Sequence, residues 1–195
     1  MLREAFMPFE RKKNRLQPDR YWGRQSFFVT TCCDGRRRLF RNAEMAAGIV
    51  ASLRVQSNRF DFDIHAYCVM PEHVHFLAAG RSDASNLIQF VKAFKQATGY
   101  AWRERSRGPL WQKSFYDHIL RPRDSVESVA WYIWMNPVRK GLCDDPQAYR
   151  FSGSFILTWP SAQPAEIWVP PWKGEDGGLK ASATQAKPVA SRAGR

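Results

Sequence analysis

An α+β fold built on one antiparallel sheet is what this 195-residue sequence predicts. Apolar residues alternate in some segments and recur at helical spacing in others. The resulting order is strand, helix, strand, strand, helix, strand, then one further helix. That order is the ferredoxin-like β-α-β-β-α-β unit, with two helices on one face of the sheet and an additional C-terminal helix. The topology alone names no activity, because this architecture hosts many.

The elements follow from local chemistry. "SFFVTTCC" (26–33) is β-branched and aromatic and reads as a strand, and "DGRRR" (34–38) reads as a turn with a basic rim. "NAEMAAGIVASLRVQSN" (42–58) has apolar residues at helical spacing behind Asn42, a good N-cap. "FDIHAYCVM" (62–70) alternates as a strand; Pro71-Glu72 marks a tight turn into a second strand, "HVHFLAA" (73–79). A long amphipathic helix spans 82–105, capped by Ser82 or Asp83. Leu87, Phe90, Val91 and Phe94 face inward, leaving Lys92, Lys95 and Gln96 outside. "WQKSFYDHILR" (111–121) holds a strand, and "DSVESVAWYIWMN" (124–136) a helix stopped by Pro137.

Three regions are expected: a basic N-terminal arm (1–24), a folded domain (25–158), and a tail (159–195) largely disordered after about 173. Within that tail, Trp168, Val169 and Trp172 are the only candidate anchors. A formal net charge of +12 with a pI near 10.0 points to a polyanionic partner. No apolar run approaches the ~20 residues of a membrane span, and no secretory leader is visible. A cytoplasmic, nucleoid-associated location is expected, with no membrane partner. Cys32, Cys33, Cys68 and Cys143 form no C-x-x-C pair and read as reduced thiols.

The chain has four histidines, and "PEHVH" holds two of them around a valine. On a strand, i and i+2 share a face, ~7 Å apart along it. His73 and His75 therefore project together while Val74 enters the core. This is either the start of a divalent-metal site or two packed imidazoles. On the last helix Tyr132 and Asn136, four apart, share a face. They read as nucleophile and ligand, or as a half-buried aromatic and a helix-end cap. Between residues 95 and 140, nine Lys/Arg face four acids and interleave with aromatics, a pattern suited to nucleic acid.

Taken together, "AYCVMPEHVHFL", "LWQKSFYDHILR" and "YIWMNPVRKGL" resemble the IS200-like single-tyrosine HUH transposases, and more narrowly the REP-associated tyrosine transposases. The resemblance spans roughly 25–155. It departs from the family at Glu72, where Asn is common, at Lys140, where a small residue is usual, and at Phe151-Ser152-Gly153-Ser154, where the family has Trp-Ser-Ser.

The resemblance implies Tyr132 as the catalytic nucleophile, on the additional C-terminal helix. It also implies a Mg²⁺ or Mn²⁺ held by His73, His75 and Asn136. The implied substrate is single-stranded DNA with a hairpin-forming REP-type palindrome, cleaved and rejoined through a 5′-phosphotyrosine. A monomer is favoured over a dimer exchanging the tyrosine helix. Arg36, Arg37, Arg38, Lys95, Lys113, Arg121, Arg123, Arg139 and Lys140 are candidate DNA contacts; Glu72, Asp117 and His118 are candidate supports of the site. The alternatives are a non-catalytic single-stranded nucleic-acid-binding regulator on the same fold, or a metal phosphodiesterase using water as nucleophile.

Overall fold

Five strands pair in one antiparallel sheet in the computed structural model, which describes residues 18–106, 108–159 and 163–171. They are β1 (Ser26–Cys32), β2 (Phe62–Met70), β3 (His73–Gly80), β4 (Tyr116–Ile119) and β5 (Ser152–Gly153), in the order β4-β1-β3-β2-β5. The first four give the spatial order of the ferredoxin-like unit. Residues 1–17 of the expected arm, and the tail from 172 onward, lie outside the described residues.

Helices α1 (Ala43–Arg59) and α2 (Leu87–Arg103) cover one face of the sheet. Asn42 caps α1 by accepting from the Met45 amide. The second cap is not Ser82 or Asp83. Asn86 takes that role by accepting from the Gln89 amide, while the Ser85 hydroxyl donates to Asp61 O and Trp22 bridges to Asn86. These contacts hold 82–86 in a turn closed by the Ser85 amide donating to Ser82 O at 3.2 Å, so α2 starts late. Leu87, Phe90, Val91 and Phe94 are fully buried, with Phe76 5.7 Å from Phe90 and 6.1 Å from Phe94. Each such side chain contributes roughly 1.5–3 kcal/mol; Phe90→Asp would place an unpaired charge among them.

The opposite face carries α3 (Val126–Trp134), which begins at the Ser125 cap and ends before Pro137. It does not reach residue 136. Met135 separates it from a short turn of helix, α4 (Asn136–Arg139), because Pro137 has no amide to continue the ladder. Trp134 is buried here, donating from Nε1 to Gly153 O at 2.9 Å. Both sheet faces are therefore covered, and β3 is buried along six consecutive residues.

A bulge at His65 decides what faces α3. Ile64 pairs with Ala78 on the α1/α2 side, but Ala66 pairs with Leu77 on the α3 side. The extra residue reverses the alternation that the sequence of β2 suggests. Cys68 and Met70, opposite His75 and His73, thus face α3. Gly80 is needed where it stands: a Cβ there would meet the Gly23 carbonyl oxygen at 2.1 Å. All four cysteines are free thiols, and no helix among the described residues is long and apolar enough to cross a membrane.

Candidate active site

The hairpin turn at Pro71-Glu72 sets the register that matters. Met70 pairs with His73, and the Cys33 and Phe40 amides donate to the Glu72 and Pro71 carbonyls. With the turn held, His73 and His75 stand on the α3 face and Val74 enters the core under α1 and α2. Both imidazoles are buried, and their Nε2 atoms are 2.9 Å apart. Two neutral nitrogens with lone pairs at that distance would repel; a shared proton or a cation relieves the conflict.

The remaining ring nitrogens are also addressed. Thr30 Oγ1 lies 2.7 Å from His75 Nδ1, since Thr30 is the β1 residue opposite His75. A proton on Nδ1, donated to the hydroxyl, leaves Nε2 as the lone-pair donor. Glu72 Oε1 stands 3.3 Å from His73 Nδ1, an electrostatic contact without hydrogen-bond alignment. Burial pushes the His73 pKa below its ordinary value; Glu72 pulls it back up, while Arg36 and Lys140 push it down. A neutral His73 is what a metal ligand must be.

Among the described residues no three His, Cys, Asp or Glu side chains gather as a metal site. Any third side-chain ligand must then be of another kind, and the α3–α4 break offers an amide. Asn136 is buried, and its Nδ2 donates to the carbonyls of Tyr132 and Ile133 at 3.1 and 3.2 Å. Those bonds fix the amide and leave Oδ1 as the acceptor end. Two imidazoles and one amide oxygen form a mixed N/O set of the kind that Mn²⁺ or Mg²⁺ accepts. The donor chemistry of these three side chains fits such an ion.

Tyr132 joins the histidines through Phe28, whose ring lies 5.3 Å from His75 and 6.0 Å from Tyr132. Only 8% of Tyr132 is exposed. Burial raises its pKa above the ordinary phenol value; Arg139 and Lys140 act against this but do not outweigh it. These cations favour the phenolate, but inside this pocket desolvation is the larger effect. Arg139 lies 4.2 Å from the Tyr132 ring centroid and donates to the Tyr132 carbonyl at 2.6 Å, bracing the nucleophile candidate from two sides.

Not every candidate comes to this face. His118 does: it is opposite Phe28, its Nε2 is 3.1 Å from Asp124 Oδ2, and its ring is 5.9 Å from Trp168. It holds the entry to α3. Asp117, opposite Val29, points to the other face of the sheet, away from the histidine pair. The Lys95 ammonium donates to the carbonyls of Gln112, Lys113 and Ser114, clamping that loop. Arg37 donates to the carbonyls of Asp34 and Pro109. Arg36, Arg38, Lys113, Arg121, Arg123 and Lys140 are exposed cations.

Two residues of this site went unmarked in the sequence, and a third was noted only as an anchor. Thr30 and Phe28 depend on the β1–β3 register, which single-strand patterning does not give. Trp168 packs 5.1 Å from Tyr132 and 5.2 Å from Phe28, so part of the expected tail closes the pocket.

Comparison with known proteins bears on the family and the fold. Residues 20–136 match the sequence model of the family described as Transposase IS200 like. Over 131 residues the chain is 30% identical to the REP-associated tyrosine transposase of Escherichia coli strain K12, covering 65% of this chain and 74% of the relative. Among solved structures, a REP-associated tyrosine transposase bound to a REP hairpin superposes with a TM-score of 0.62. That likeness covers 73% of this chain and 82% of the other at 21% identity, and it speaks for the fold.

Proposed function

From the premise that the chain belongs to the IS200-like transposase family, we propose that it cleaves and rejoins single-stranded, hairpin-forming DNA of the REP type through Tyr132. The carrying observation is the convergence of His73 and His75 Nε2 at 2.9 Å, with Tyr132 sharing the Phe28 neighbour of His75.

His73, His75 and Asn136 would hold a Mg²⁺ or Mn²⁺, which when bound supplies Lewis-acid polarisation of the scissile phosphate. Thr30 and Glu72 orient the imidazoles toward it. Tyr132 Oη loses its proton to solvent and attacks phosphorus. The bond to Tyr132 forms, the bond to the 3′ oxygen breaks, and that oxygen leaves as a protonated hydroxyl. The product is a 5′-phosphotyrosine, and attack by a 3′-hydroxyl reverses the step without ATP. Arg139 and Lys140 favour the phenolate and the developing charge. Burial sets the pocket against ionisation until substrate enters. A monomer suffices for this arrangement, since every proposed group comes from one chain.

The test uses the full chain, Mn²⁺ and an end-labelled single-stranded palindrome of REP type. A covalent adduct that survives SDS, and is lost in Tyr132→Phe and in His73→Ala, is the expected result. Cleavage without an adduct would point to water as nucleophile. Binding without cleavage would leave the chain a nucleic-acid-binding regulator.

A further inference from the structure

On the far side of the sheet from Tyr132, a groove of about 830 Å³ runs between α2 and residues 109–115. Lys92, Gln96, Gly99, Tyr100 and Arg103 form its helical wall. Their spacing places them along one side of α2, ~16 Å from Lys92 to Arg103. Lys113 stands on the facing wall, and none of the described lining residues is acidic. Lys92, Arg103 and Lys113 are exposed, and Tyr100 is 69% exposed. The Tyr100 ring is thus presented to solvent amid three cations.

The facing wall is rigid and leads toward the site. Lys95 ties down three of its carbonyls, the Gln112 amide donates to Cys32 O at 2.9 Å, and Trp111 bridges to Cys33. Cys32 is the β1 residue opposite His73. The Lys113 end of the groove therefore lies at the same end of the sheet as the histidine pair.

We infer that this groove is a docking site for single-stranded nucleic acid, its phosphates following Lys92, Arg103 and Lys113 and an unpaired base stacking on Tyr100. Duplex DNA offers no open base face to that ring, and an acidic peptide has no use for it. The inference deepens the proposed function: it assigns the path by which strand flanking a hairpin approaches the histidines.

The experiment measures anisotropy of a fluorescein-labelled oligothymidine of roughly 12 nucleotides with the full chain. Tyr100→Ala should weaken binding by roughly tenfold. The combined K92E, R103E and K113E variant should weaken it further and flatten the salt dependence by about 2 logarithmic units per decade. Gly99→Leu supplies a steric block: a Cβ there meets no atom within 4 Å, so the added side chain fills groove space without disturbing the helix. Wild-type affinity in all three variants overturns the inference, as does displacement by duplex DNA or polyglutamate as readily as by unlabelled oligothymidine. Adduct formation through Tyr132 is measured in parallel. A normal adduct with unaffected groove variants removes the groove alone; weakened groove variants with no wild-type adduct support the groove and remove the transposase reading.

Discussion

Thr30 Oγ1 and His75 Nδ1 stand 2.7 Å apart across the β1–β3 pairing, so a hydroxyl on one strand hydrogen-bonds an imidazole on the next and fixes the orientation of its ring. Thr30→Val keeps the shape and removes the hydroxyl. On the proposed metal reading, Mn²⁺ affinity should fall by about 10–100-fold, as when an outer partner of a ligating histidine is lost. Thr30→Ser should retain most of it. Calorimetric titration of Mn²⁺ into the three proteins decides the matter, and equal affinities would remove Thr30 from the site.

Arg139 contacts both the ring and the carbonyl of Tyr132. Its charge opposes the rise that burial imposes on the phenol. Removing it in Arg139→Ala should send the Tyr132 pKa higher still. Because the phenolate is the attacking form, the limb of adduct formation that rises with pH should move to higher pH. Arg139→Lys should restore the charge but not the flat contact, and so recover only part of the rate. A pH–rate profile unchanged in Arg139→Ala would show that the guanidinium does not act on this tyrosine.

The fold was legible because its signals are local. The β2 span 62–70, the Asn42 cap, the two-residue turn at Pro71-Glu72 and the inward stripe of α2 follow from spacing and turn chemistry. The common face of His73 and His75 was legible for the same reason. What escaped depends on long-range pairing. The His65 bulge turns Cys68 and Met70 to the α3 face against the run of alternation. Thr30 meets His75 only through register. Trp168 reaches Tyr132 from residues whose composition reads as a tail. The late start of α2 reflects competition, since Ser85 and Asn86 bond outside the helix that their neighbours favour.

Asp124 gives a pH dependence of stability. Burial raises its pKa, but the Arg121 amide and His118 outweigh that and hold it below the ordinary carboxylate value. A depressed folded pKa means that the stabilisation is complete above the unfolded value, ~3.9, and is lost as pH falls through the folded one. Asp124→Asn should cost about 2 kcal/mol near neutrality. Below pH ~4 the gap between the two proteins should close. Urea melts at a series of pH values measure this; a gap of constant size would mean that the carboxylate charge contributes nothing.

Trp168 tests how the pocket around Tyr132 is made. Its ring contacts Tyr132, Phe28 and His118, and it is 6% exposed although its segment crosses the surface. Trp168→Ala should destabilise the chain by about 3 kcal/mol, toward the lower end for a large aromatic because the segment can adjust. It should also admit water to Tyr132. Desolvation is the largest cause of the raised phenol pKa, so that pKa should drop back toward ~10. Ultraviolet titration of Trp168→Ala against the double variant W168A/Y132F isolates this one phenol, and nitration by tetranitromethane should modify Tyr132 faster. A phenol that titrates as it does in the wild type would place the source of its burial in Phe28 and α3 alone.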